Sequence, residues 1–192
     1  MEEEFTLDIT PNFAAAWQRV ETYWPERAIT LRALKWVVSD RTAYAAVNET
    51  QLLINQTGLL GPDFEGSEDP VGHIAFLLVH EAGHIENLDY SNYPGANHDI
   101  ANKTSDYIVN GEISRMNDLL KMQHGVDLFP LPPWVLFDPT LSSGRWSTFD
   151  VYRVLFALER LYPDTEPEDE SGKENRPGAN GRDVLDSEPE EC

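Results

Sequence analysis

The sequence predicts an α+β domain, mainly helical, in which a small β-hairpin or sheet packs on one buried central helix. Three observations predict it. Apolar residues recur at helical spacing near residues 12–23, 70–87, 98–121 and 149–161. A single stretch, Thr42 to Ile54, reads as a strand pair. The run Leu77-Leu78-Val79-His80-Glu81-Ala82-Gly83-His84-Ile85 is apolar on most sides of a helix, which marks that helix as core.

Thr10-Pro11 supplies a cap and a first-turn proline for the first helix. Phe13, Ala16, Trp17, Val20 and Tyr23 give it an apolar face, and Trp24-Pro25 ends it. Ala28 to Val38 satisfies neither period cleanly and reads as a helix running into a strand at Trp36-Val37-Val38. The runs 42–47 and 51–54 flank Asn48-Glu49-Thr50, a hairpin signal whose turn lacks glycine. Gln56 to Glu68, with three glycines and a proline, reads as a loop. Asp69-Pro70 starts the central helix, which should end near Asn87. Residues 88–97 form a polar loop, and a second long helix runs from about His98 to Lys121. Phe129 to Trp134 is a proline-rich extended connector. Ser147 or Thr148 caps a last helix, Phe149 to Leu161. Residues 1–162 thus form the domain. Residues 163–192 are acidic, rich in Pro, Gly and Ser, and read as a disordered tail.

The chain of 192 residues is 41% hydrophobic, enough for one core. Its net charge is −20; residues 163–192 hold 11 acids and 3 bases, which leaves −12 on residues 1–162. Such a surface argues against nucleic acid as a ligand and favours basic or neutral partners. No apolar run is long enough to span a membrane, and the acidic Met1-Glu2-Glu3-Glu4 start is unlike a secretion signal. The single cysteine, Cys192, forbids an internal disulfide, so a reducing, cytoplasmic setting is expected.

His80-Glu81-Ala82-Gly83-His84 carries the chemistry. Two histidines four apart share one helix face, so their ring nitrogens can reach one metal ion, with Zn²⁺ expected. Glu81 beside them is placed to act as general base toward a water molecule. Gly83 costs about 1 kcal/mol of helix propensity, which implies that a neighbour or substrate needs the space. A catalytic zinc takes three protein ligands. His73 is two turns from His80 and too distant. Asp106 is the favoured third ligand, because Asn102, Asp106 and Asn110 form a polar stripe on an otherwise apolar helix and a buried carboxylate needs a cation. His98 comes next, with His124 and Glu86 behind. Asp99 or Asn102 could orient a ligand histidine.

The His80–His84 motif, followed by His98-Asp99-Ile100-Ala101-Asn102-Lys103-Thr104-Ser105-Asp106-Tyr107-Ile108-Val109-Asn110, resembles a zincin-like metallopeptidase domain family found in bacteria and phages. In that family an HExxH helix precedes a helix of Asn-x-Ala-x-Asp-Tyr-x-x-Asn type, often upstream of a von Willebrand factor A-like domain. The resemblance covers roughly residues 10–162 and extends to the hairpin ending Leu53-Ile54-Asn55, to Leu131-Pro132, Leu136 and Asp138, and to Val151-Tyr152. It implies Asp106 as third ligand and supporting roles for Tyr107 and Asn110. Thr104 stands where the family signature has alanine, and no von Willebrand-type segment follows.

Two functional classes follow. The first is a zinc-dependent hydrolase, a metallopeptidase acting on a protein or peptide, with Glu81 as base and Tyr107 or Tyr90 as candidate donors to the developing oxyanion. The second is a catalytically silent, zinc-stabilised binding module, such as a phage-encoded inhibitor of a basic host protein. A non-peptide amide as substrate is a third possibility, since the motif specifies the activated water and not the substrate.

Overall fold

The computed structural model describes residues 10–87 and 95–161. The acidic tail, Tyr90 and most of the loop expected at 88–97 lie outside these residues. The described chain is mainly helical with one small mixed sheet, the α+β class that the sequence predicts.

Helix α1 spans Pro11–Tyr23, and the Thr10 hydroxyl accepts the Phe13 amide at 3.2 Å. Phe13, Ala16 and Val20 are its buried face. Pro25 does more than end α1: it is the first residue of a second helix, α2, Pro25–Arg32. The ambiguous stretch then resolves into strand β1, Lys35–Val38. Strands β2, Ala45–Val47, and β3, Gln51–Ile54, form the expected hairpin, with Ala46 opposite Leu53. Its turn needs no glycine because Asn48 Oδ1 accepts the amides of Thr50 and Gln51 at 3.0 and 2.8 Å. β1 lies parallel to β3 with Trp36 opposite Leu52, so the order is β1-β3-β2 and β2 is an edge.

The expected loop at Gln56–Glu68 instead contains two short helical turns, α3 at Gln56–Leu59 and α4 at Pro62–Glu65. Asn55 caps α3 by accepting the Gly58 amide at 3.0 Å, and Pro62 opens α4. Gly58 is needed for close approach, since a Cβ there would run into the carbonyl oxygen of Ala43.

Helix α5, Pro70–Glu86, starts where Asp69 accepts the Gly72 amide at 2.8 Å. Every residue from Ile74 to His84 is buried. α1, α2, α4 and β2 pack around it, together with α6, His98–His124. α6 runs one turn beyond the predicted end and stops at Gly125, which adopts φ +76°. Beyond it, Asn117 Oδ1 receives the amides of Leu128 and Phe129, both at 2.8 Å, and fixes the start of the irregular connector. Helix α7, Thr148–Leu161, lies against α6, and Ser147 Oγ accepts the Asp150 amide at 3.2 Å. No helix among the described residues is long and apolar enough to cross a membrane.

Tyr44 joins the hairpin to α4 and the connector. Its hydroxyl donates to the Asp63 carboxylate, and its ring packs on Phe64 and Trp134 at 5.3 and 4.9 Å. Burial, the hydrogen bond and the charge of Asp63 push the phenol up to about 12. A tyrosine in the unfolded chain ionises near pH 10. The native phenol stays neutral longer, so its contribution is complete below about pH 10 and is lost as pH rises through about 12. Denaturant titrations of wild type and Tyr44→Phe across that window should show the steeper loss of stability in wild type.

Candidate metal centre

The spacing of His80 and His84 puts both rings on the face of α5 that meets α6. Phe76, one turn earlier, stacks on the His80 ring at 5.9 Å and 21°. Across the interface, Asn110 fixes that ring further. Asn110 Nδ2 donates to the Leu136 carbonyl at 2.8 Å, so its Oδ1 faces His80 Nδ1 at 2.8 Å. An amide oxygen only accepts, so Nδ1 carries the proton and His80 Nε2 presents a lone pair.

Three donor atoms meet there. The Nε2 atoms of His80 and His84 lie 3.0 Å apart, and Asp106 Oδ1 is 3.5 and 3.4 Å from them. Ligands about 2.1 Å from a tetrahedral ion lie about 3.4 Å from one another. The two edges to Asp106 match that spacing and the edge between the histidines is shorter, so the triangle is of a size to hold a metal ion. The donor set, two imidazoles and a carboxylate, is also one that zinc accepts. Among the described residues these three form the group able to hold a metal ion. Burial pushes the Asp106 carboxyl up, but its contacts with His80 and His84 outweigh that and hold it below the usual carboxylate range.

Glu81, the next position of α5, is 1% exposed, and its carboxyl lies near enough to His84 and Asp106 to feel their charge. Burial pushes its carboxyl up to about 7, with the nearby His84 opposing and the Asp106 charge adding to the rise. The backbone N–H of Val47, on edge strand β2, donates to it, while Oε2 has no hydrogen-bond partner. A buried carboxylate oxygen without a donor is costly unless something reactive or cationic faces it. Tyr107, next to Asp106 on α6, has its phenol raised by burial and by the charges of Asp138 and Asp106.

The other candidates lie elsewhere. His98 is exposed on the first turn of α6, with its ring 3.4 Å from Asn102 Nδ2, so that pair belongs to the helix start and not to the triangle. Asp99 is likewise exposed there. His124 ends α6 against the Tyr23 ring at 5.0 Å. Glu86 faces α2, where it pairs with Arg27 at 3.0 Å and accepts the Thr30 hydroxyl at 2.8 Å.

Arg27 is the residue that sequence reasoning missed. It is 1% exposed. Nη1 donates to the Val79 carbonyl at 2.9 Å, just before His80, and Nη2 donates to Glu112 on α6 at 2.6 Å. Its guanidinium also lies over the Trp24 ring at 4.8 Å. Gly83 makes this possible, because a Cβ there would collide with Arg27 Nη1 and lie 2.6 Å from Val109 Cγ1. The helix-unfavourable glycine inside the motif was the sequence signal for a close neighbour; it could not say which.

No family model, curated protein or solved structure matches the chain. The family resemblance therefore rests on the motifs of the sequence.

Proposed function

We propose that this protein is a zinc-dependent hydrolase of the metallopeptidase class. The observation that carries the reading is the compact triangle of His80, His84 and Asp106 with the buried carboxyl of Glu81 beside it. When bound, zinc would supply a Lewis acid that polarises the scissile carbonyl and makes a water more acidic. The chain's own residues account for the rest. Asn110 keeps the His80 tautomer that turns Nε2 toward the ion. Glu81, its carboxyl raised toward neutrality, takes the proton of the attacking water and returns it to the leaving amine. The Val47 N–H holds that carboxyl, and its Oε2, which has no hydrogen-bond partner, is left to accept the water's proton. Tyr107 stands beside Asp106 as the candidate donor to the oxyanion.

Glu81→Gln tests the assignment, since the amide keeps the shape and removes the base. The variant should bind zinc as wild type does in a chelator competition and lose at least about a hundredfold in the rate of peptide-library digestion. Undiminished digestion would remove Glu81 from the mechanism. Zinc binding with no digestion by wild type would favour the silent binding module instead.

A further inference from the structure

A cavity of about 300 Å³ lies between α6, the connector and α7. Ile100 and Tyr107 of α6, Leu136 of the connector, and Leu155 and Leu158 of α7 form its apolar wall. We infer that this cavity is a subsite for one uncharged, medium-sized apolar side chain of a peptide bound at the metal centre. The inference rests on the metallopeptidase reading above.

Two links tie the cavity to the triangle. Tyr107 lines it and directly follows Asp106 in α6. Leu136 lines it too, and its carbonyl receives the Asn110 amide that fixes His80. Ile100, Lys103 and Tyr107 recur at helical spacing, so the cavity occupies the face of α6 adjoining the one that carries Asp106 and Asn110.

Size and charge select the occupant. Ligand pockets run from about 300 to 1,000 Å³, so this one sits at the bottom of the range and suits a small group such as a side chain better than a large cofactor. Its charged lining residues, Lys103 and Glu159, are opposite in sign. They present no net charge to an occupant, and an uncharged group gains most from the leucine-rich wall. Leu158 is 45% exposed, so the wall is open to an arriving ligand.

The test compares glycine hydroxamate with leucine hydroxamate, both of which chelate zinc, on the zinc-loaded full chain by titration calorimetry. Leucine hydroxamate should bind at least about tenfold more tightly. Leu155→Trp fills the cavity and Leu158→Asp places a charge in its wall. Either variant should abolish the advantage and leave glycine hydroxamate binding unchanged, which also shows that the site is folded. Equal binding of the two probes to wild type, or an advantage that survives both variants, would overturn the subsite alone. A chain that retains no zinc on dialysis and binds neither probe would overturn the metal reading and the subsite with it.

Discussion

Gly83→Ala is expected to lower stability by about 2 kcal/mol, and Arg27→Ala by about 3 kcal/mol, although neither residue supplies a donor atom to the triangle. For Gly83 two effects oppose. Alanine gains about 1 kcal/mol of helix propensity. Its methyl group must displace Arg27 Nη1 and Val109 Cγ1, and overpacking of that kind costs about 1–3 kcal/mol or more. The collision with a buried, doubly paired guanidinium puts the cost at the upper end or beyond. For Arg27, truncation removes charge-assisted bonds to Val79 and Glu112, at about 1.5–3 kcal/mol each in buried settings. Glu86 and Glu112 are 36% and 44% exposed, so water recovers part of their loss, and the total stays near the cost of one such bond plus a cavity. The decisive measurement is the double variant. With Arg27 shortened, the methyl group added at position 83 has room on that side, so the two effects should couple by at least about 1 kcal/mol in denaturant unfolding. Simple additivity would mean that Gly83 does not serve to admit Arg27.

Asp106→Ala should weaken zinc binding about a hundredfold or more. Structural zinc sites with four protein ligands bind with apparent free energies of about 10–16 kcal/mol, so one ligand contributes on the order of 3 kcal/mol. Asn110→Ala, which frees the His80 ring and releases the Leu136 carbonyl, should cost about 10- to 100-fold. His98→Ala and His124→Ala should cost nothing, since their rings lie against Asn102 and Tyr23. Competition with a chromophoric chelator gives all four values. The order Asp106, then Asn110, then the two distant histidines is the expected result, and an effect of His98→Ala as large as that of Asp106→Ala would contradict this assignment. Zinc should raise the melting temperature of wild type and leave that of Asp106→Ala nearly unchanged.

The parts legible in the sequence were those set by local rules. Thr10-Pro11 and Asp69-Pro70 marked the starts of α1 and α5, because a cap oxygen and a first-turn proline act within four residues. Asp106 was legible as a carboxylate at helical spacing on an otherwise apolar helix. Misreading began where meaning depended on distant chain. Gly58 and Pro62 looked like loop residues, yet one yields to the Ala43 carbonyl and the other opens α4. His98 and Asp106 both sat on the same helix, and only their positions around it separate the exposed turn from the interface. The parallel pairing of β1 with β3 left no local trace. Nothing local marks Arg27, since its partners, Val79, Glu86 and Glu112, are 52 to 85 residues away.

That guanidinium also decides how much chain a competent centre needs. It links residue 27 to residues 79, 86 and 112, while Asn110 reaches on to Leu136. A fragment carved around the His-Glu-x-x-His helix and α6 would contain all three candidate ligands and still lack the crosspiece that joins the two helices. In a series of N-terminal truncations, loss of the fold around the motif is therefore expected already when α1 and then α2 are removed, well upstream of the motif. The supports of the three donor residues thus reach from Arg27 to Leu136, and recombination within that span would separate the donors from the residues that hold them.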